Sequence, residues 1–304
     1  SDLVVDQGSG QAANGMRITE GYLSQHFQGR SGGRDPALLD IAQDHALALL
    51  HEQGVFDLDV VLKGGTALRK CRAGNAGRFS TDLDFAVEDE ATAALVLDTL
   101  DGAEIDGFGF ALQNRGGNRR ADLVVDHPVW SPGHWREDRP VDSRAVVAAG
   151  HSATRSAPDS QALRLRPTEY PVMTLEEQIA EKLARYRRTS LARDLYDLAW
   201  CAGRTFDEPL VRRIWVLKCF FDIVDDGLGD KPVAAADVLD AREESSFTAE
   251  QIGYLTKPVD VVGWVRSIRR RFGFLGNMDA EEAGWASANP GDRWHALQAV
   301  EVLG

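Results

Sequence analysis

Between Val60 and Val87 the chain reads as strand, glycine turn, short helix, polar loop and second strand. Val60-Val61-Leu62 is a short apolar run closed by turn residues, the pattern of a buried strand. Lys63-Gly64-Gly65-Thr66 follows as a turn, Ala67 to Cys71 as helix, and Arg72 to Ser80 as loop. Thr81 to Val87 alternates with period two, which predicts a strand. Residues two apart on a strand share a face, so Asp82 and Asp84 point one way and Leu83 and Phe85 the other. Bare glycines let backbone N–H groups approach a phosphate, and the start of a helix adds a favourable field. Two carboxylates held side by side repel unless a cation joins them. Magnesium takes one or two carboxylates together with phosphate oxygens, and a pair of ions so held activates a hydroxyl and stabilises departing pyrophosphate. A glycine cradle followed by a strand-borne Asp-x-Asp therefore points to nucleotidyl transfer. Taken singly, each half has a plainer reading, as an ordinary turn and as an exposed strand face.

The flanking sequence supplies a frame for this unit. Ile18 to Phe27 reads as a short helix. Asp35-Pro36 opens a longer one whose apolar residues from Leu38 to Leu50 recur at three and four, and Gly54 ends it. Asp89 to Leu100 is predicted as helix, Phe108 to Asn114 and Ala121 to Val125 as strands joined by a turn at Arg115 to Asn118, and Leu163 to Arg166 as one more strand. Pro128 to Ala148, rich in Pro and Trp, fits no pattern. From Thr174 the character changes: Thr174-Leu175-Glu176-Glu177 has the form of a capping box. Arg193 to Ala202, Leu210 to Asp222, Val259 to Phe272 and Asp292 to Val302 read as amphipathic helices. The expectation is an α/β (mixed) fold: a small mixed sheet in the first half and a mostly α-helical second half. The boundaries expected are a polar N-terminal stretch over 1–34, an α/β domain over 35–170 and a helical domain over 171–304.

Composition narrows the functional classes. The 34 Lys+Arg against 47 Asp+Glu leave a formal net charge of −13, which argues against a general nucleic-acid coat protein. Inside that acidic chain, Lys182, Arg185, Arg187, Arg188 and Arg193 form a basic cluster with no acid from 182 to 193. The three cysteines, Cys71, Cys201 and Cys219, are odd in number and unrelated in spacing, which fits a reducing compartment. With no signal-like N-terminus and no apolar run long enough to span a bilayer, the expected location is the cytoplasm, away from membranes. The histidines have no ligand spacing, and no Gly-x-Ser-x-Gly context supports a nucleophilic hydrolase.

The stretches Val61 to Lys70 and Arg78 to Phe85 resemble the AbiEii-type nucleotidyltransferase toxins, including the MenT-type toxins, within the polymerase β-like superfamily. The resemblance continues through Glu177 to Arg185 and Arg193-Asp194-Leu195-Tyr196-Asp197-Leu198. It implies a polymerase β-like nucleotidyltransferase domain followed by a helical one. It implies that Lys63, Gly64, Gly65, Thr66 and Ser80 hold the nucleotide, that Asp82 and Asp84 bind magnesium (or manganese), and that Lys182 neutralises the triphosphate of an NTP. Asp194 and Asp197 lie one helical turn apart; one orients Lys182 or positions substrate, or both simply salt-bridge to Arg193 or Arg187. Sites of this superfamily often hold a third carboxylate. Asp122 and Asp126 are the candidates by alternation, Asp122 the better one because it lies inside the strand, and a solvated strand face is the equal alternative.

The acceptor follows from the basic cluster and the resemblance together. Arg185, Arg187, Arg188 and Arg193 beside the site would hold a phosphodiester chain, and the resemblance implies transfer of a pyrimidine nucleotide to the 3′ end of tRNA, with inhibition of translation and a cognate antitoxin as partner. A small-molecule, antibiotic-type nucleotidyltransferase and a non-catalytic nucleotide or RNA binder are the alternatives. Ser80 lies two residues before Asp82 on an extended segment and is expected to face the same way. Phosphorylation there would add about −1.5 to −2 charge beside two carboxylates, so Ser80 is also the expected regulatory phosphosite.

Overall fold

The computed structural model describes residues 34–117, 119–127, 144–150, 170–247 and 258–303, with Leu23 and His26. Helix α1 (Arg34–Glu52) buries Leu38, Ile41, Ala42, Ala46 and Leu50 as the spacing predicts, but it is buried on its other sides too, with Leu39, Asp40, Gln43, His45 and Leu47 also enclosed. It ends where Gly54 takes a φ of +72°, the left-handed conformation that glycine adopts without a Cβ clash. Then come β1 (Val61–Lys63), α2 (Gly64–Leu68), one turn of π-helix (Arg69–Ala73) and β2 (Leu83–Ala86). Helix α3 (Glu90–Leu100) starts at Asp89, whose carboxylate accepts the Thr92 N–H at 2.7 Å. Strands β3 (Glu104–Ile105), β4 (Phe108–Gln113), β5 (Arg120–Asp126) and β6 (Arg144–Gly150) complete the sheet.

Among the described residues the sheet order is β1-β2-β6-β5-β4-β3, with β2 and β6 parallel and every other neighbouring pair antiparallel. The inner strand β6 falls in the stretch that resisted assignment. Its sequence, Ala145-Val146-Val147-Ala148-Ala149, is uninterrupted small apolar residues, so no period-two signal marks it. The expected strand at Leu163 to Arg166 and the expected helix at Ile18 to Phe27 lie outside the described residues, apart from Leu23 and His26.

The helical half comprises α4 (Leu175–Arg188), α5 (Ala192–Cys201), α6 (Glu208–Val224), α7 (Ala236–Leu239), α8 (Val261–Arg271), α9 (Ala280–Ala286) and α10 (Arg293–Leu303). Thr174 caps α4 by accepting the Glu177 N–H at 3.2 Å, while the Glu177 carboxylate receives Lys218 Nζ from α6 at 2.8 Å. No helix among the described residues is long and apolar enough to cross a membrane.

The buried apolar side chains form two large clusters, one around the sheet with α1 and α3, the other within the helices. Two features lock the first glycine turn between them. Leu68 of α2 packs into the helical cluster. The segment before α4 runs beside β1, with the Leu62 N–H donating to Pro171 O at 2.9 Å and the Met173 N–H to Leu62 O at 3.0 Å. A buried ionic knot anchors the turn from behind. Asp40 of α1 accepts from His26 Nδ1 at 2.8 Å, Arg69 Nη2 at 3.2 Å and Lys70 Nζ at 2.9 Å. Burial pushes the Asp40 carboxyl up, but the charges of Lys70 and Arg69 and the hydrogen bond from His26 outweigh it and hold it well below the usual range. Losing one partner of such a knot strands a buried charge.

Candidate active site

The edge of β1, the α2 turn and β2 face α4, α5, α6 and α10 across a cleft of about 780 Å³. Lys63, Gly64, Gly65, Ser80, Asp82 and Asp84 line one wall, and Lys182, Arg185, Arg188 and Arg193 line the other. The expected pairing of turn and strand is thus realised in space. Gly64 has a φ of +76°, and a Cβ there would lie 2.1 Å from Asp84 Oδ2. A Cβ on Gly65 would lie 2.7 Å from Arg78 Nη2 and 2.8 Å from Ser80 Oγ. Gly64 is therefore required by its backbone conformation as well as by close approach, and Gly65 by close approach alone.

Asp82 and Asp84 sit together at the cleft floor. Burial, and next the charge of Asp82, push the Asp84 carboxyl up to about 6, with Lys63 pulling the other way. Arg193 Nη1 lies 3.9 Å from Asp82 Oδ2. Asp122 is not brought to this pair. It aligns with Val146 of β6, so a whole strand separates it from β2, and it accepts from Asn114 Nδ2 at 2.8 Å. Among the described residues no third His, Cys, Asp or Glu joins Asp82 and Asp84 in a cluster able to hold a metal ion. The alternation along β5 gave its face correctly but not its distance across the sheet.

The Thr66 side chain also departs from expectation. It is fully buried, and its hydroxyl donates to the carbonyl oxygens of Asp82 at 2.5 Å and Ser80 at 3.5 Å. It holds the loop that delivers Asp82 rather than facing the cleft. Gln43 of α1 does the same from the other side, donating to Ser80 O at 2.9 Å.

Lys182 reaches the cleft with its ammonium bound to Asp197 Oδ2 at 2.6 Å. Asp197 also accepts from Arg78 Nε at 3.1 Å and Nη2 at 3.0 Å. Burial raises the Asp197 carboxyl, but Arg78 and Lys182 outweigh it and hold it below the usual range. Asp194 is fully buried and takes both Arg185 Nε, at 2.7 Å, and Arg185 Nη2. The two aspartates thus pair with Arg78, Lys182 and Arg185, and neither expected partner, Arg193 or Arg187, takes them.

The basic cluster is largely neutralised from within. Arg187 is buried against Asp237, with Nε 2.9 Å from Oδ2, and gives Nη2 to Asp230 O at 2.6 Å. Arg188 lies 3.1 Å from Asp222. Arg187 does not line the cleft, and among the cluster's arginines Arg193 is the one nearest the aspartate pair. Two cleft residues lie inside the stretches that carry the resemblance but had no role assigned to them from sequence. Glu181 binds Lys63 at 2.5 Å, and although burial raises its carboxyl, Lys63 and Lys218 bring it down to about 2. Arg78 is seen only as part of a polar loop until the fold sets it against Asp197. The buried thiols of Cys201, pushed up to about 12, and Cys219, also pushed up, take no part.

A family model for the nucleotidyl transferase AbiEii toxin of Type IV toxin–antitoxin systems matches residues 48–260. The chain belongs to the AbiEii nucleotidyltransferase toxin family. Its glycine turn, aspartate pair, Lys182 and Asp197 all fall inside the matched span. Among solved structures, this AbiEii-family chain is similar to MenT4, a nucleotidyltransferase toxin from Mycobacterium tuberculosis H37Rv. The two share 42% identity over 94% of this chain and 99% of that one, with a TM-score of 0.84. An H. pylori structure assigned as a nucleotidyltransferase aligns at 17% identity over 76% of this chain and 93% of that one, with a TM-score of 0.42. No curated protein sequence matches at a significant level. The chain is accordingly a nucleotidyltransferase with a mixed α/β catalytic half, the fold class and family that its motifs imply.

Proposed function

We propose that this nucleotidyltransferase moves a nucleoside monophosphate, preferentially a pyrimidine one, from an NTP to the 3′ end of tRNA and so blocks translation until a cognate antitoxin relieves it. The observation that carries the reading is the Asp82–Asp84 pair set against the Gly64–Gly65 turn, with Lys182 across a cleft wide enough for a nucleotide. The donor set suits a hard divalent cation: paired carboxylate oxygens, one of them destabilised by its neighbour's charge, beside a space for phosphate oxygens. Asp82 and Asp84 would hold magnesium (or manganese), which supplies charge neutralisation at the triphosphate and lowers the pKa of an attacking hydroxyl.

The chain's own groups do the remaining work. N–H groups of the Gly64–Gly65 turn and the Ser80 hydroxyl hold phosphate oxygens. Lys182, steered by Asp197, and Arg193, beside Asp82, balance charge as the bond from the 3′ oxygen to the α-phosphorus forms and pyrophosphate leaves. Asp194 keeps Arg185 on the cleft wall. The similarity to a toxin named as a nucleotidyltransferase supports a cellular acceptor whose modification is harmful.

A second reading draws on a specific observation. The internal pairing of Arg185, Arg187 and Arg188, together with Asp222, Asp225 and Asp226 along the cleft, would suit a cationic small molecule of antibiotic type. Incubation with each α-labelled NTP and magnesium, with total RNA in one arm and aminoglycosides in another, separates the two. Label on tRNA supports the RNA reading, and label on the drug alone overturns it.

A further inference from the structure

With Arg185, Arg187 and Arg188 engaged internally, an unneutralised basic face lies elsewhere, on α8. This helix carries Arg266, Arg269, Arg270 and Arg271 and no acid between Val261 and Arg271. Arg266, Arg269 and Arg270 are exposed. Arg271 is paired with Glu208 and lies over the Phe206 ring, and Arg269 gives Nε to Leu239 O at 2.7 Å. Arg266 and Arg270 have no carboxylate partner among the described residues. Arg266 stands three and four residues before Arg269 and Arg270, so these like charges share a side of the helix and repel. Arginines in a last turn complement the helix dipole, which accounts for the final three but not for Arg266, one turn back.

This face adjoins the far end of α5. Ala199, Ala202 and Gly203 form, with Ser267, Arg270 and Asn277, the wall of a second cavity of about 550 Å³. Arg204 follows, exposed, its guanidinium 4.2 Å from the centre of the Trp200 ring. Helix α5 therefore leads from Arg193, 3.9 Å from Asp82, to this basic face. Ten residues of helix span ~15 Å at 1.5 Å per residue. We propose that Arg204, Arg266, Arg269 and Arg270 hold the phosphodiester backbone of the RNA acceptor while its 3′ end lies in the cleft. The inference rests on the RNA-acceptor reading above. Duplex RNA is recognised mainly through backbone and shape, which suits arginines without base-reading neighbours.

The test compares two acceptors in the full chain: a tRNA minihelix with a duplex stem, and a trinucleotide with the same 3′ sequence, which has only two internucleotide phosphates and no duplex to lay on α8. Wild type, the double variant Arg266→Glu/Arg270→Glu and the single variant Lys231→Glu, an exposed charge reversal elsewhere, are assayed against salt. The expected result is a rise of about tenfold or more in the ratio of minihelix KM to trinucleotide KM for the double variant. Its salt slope should fall by about 1.4–1.8 units for two lost contacts, at ~0.7–0.9 per phosphate contact, and Lys231→Glu should change neither. An unchanged ratio and slope in the double variant, with wild type labelling both RNAs, overturns the docking face alone. A wild type that labels neither RNA overturns the RNA reading and this inference with it. Thermal melting of the double variant separates loss of fold, which lowers rates on both acceptors equally.

Discussion

A methyl group on Gly64 would stand 2.1 Å from Oδ2 of Asp84. Turn and strand aspartate thus adjoin so closely that neither motif tolerates a bulkier neighbour, and both line the same cleft.

Gly64→Ala is expected to reduce kcat/KM by at least tenfold and to destabilise the fold by about 1–2 kcal/mol, since a left-handed φ strains any residue with a Cβ. Gly102→Ala is the control. Gly102 has a φ of +75° with nothing within 4 Å of a Cβ, so it should lose stability and keep activity. Melting curves and initial rates on both variants check this, and equal activity in the two would contradict the close-approach argument.

Lys182 and Asp197 should separate in stability though not in activity. Asp197→Asn strands both Arg78 and Lys182 in a buried site, and breaking a buried pair costs ~3–5 kcal/mol. Lys182→Ala leaves Asp197 bound to Arg78 at 3.0 Å, so its melting temperature should fall less. Both variants should lose transfer. Denaturant unfolding beside single-turnover rates measures the two effects, and a Lys182→Ala variant that retains its rate would refute the lysine's role.

How much of this was legible in the chain depends on range. The strand–turn–helix–loop–strand unit was readable because each signal is local: glycine at a turn, an apolar run at Val60 to Leu62, alternation over Thr81 to Val87. The pairing of Lys182 with Asp197 was within reach because both lie on helices close in sequence. What escaped was long-range. Arg78 meets Asp197, and Lys63 meets Glu181, only after the sheet and the helices close on each other. The same closure neutralises Arg187 through Asp237, turning an apparent RNA patch into internal ion pairs. Asp122 was misplaced because alternation gives a strand's face and not its rank in the sheet, and the intervening β6 carried no alternation.

Ser80 lies in the cleft wall with its hydroxyl against Gly65, nearly buried. A phosphate there would crowd the turn and add about −1.5 to −2 charge near Asp82. Phosphorylated protein, prepared with its cognate antitoxin and verified by mass spectrometry, should be inactive and should regain activity on phosphatase treatment. Full activity in the phosphorylated form would end this role for Ser80.

Glu181 makes the acid limb of stability testable. Its folded pKa of about 2 lies below its ordinary 4.5. A depressed carboxylate contributes stability that is fully present above its unfolded pKa and lost as pH falls through the folded one. The melting-temperature gap between wild type and Glu181→Gln should be constant above pH 4.5 and close progressively toward about 2. A gap that widens on acidification would contradict the Lys63–Glu181 pairing as a stabilising contact.

The most direct measurement is sequencing of tRNA 3′ ends after incubation with each NTP and magnesium, comparing wild type with Asp82→Asn and Asp84→Asn. Loss of a metal ligand removes several kcal/mol of transition-state stabilisation, at about tenfold in rate per ~1.4 kcal/mol. The account predicts added nucleotides, pyrimidines foremost, on wild-type-treated tRNA and none above background with either folded variant. Extension at wild-type levels by both variants would contradict it.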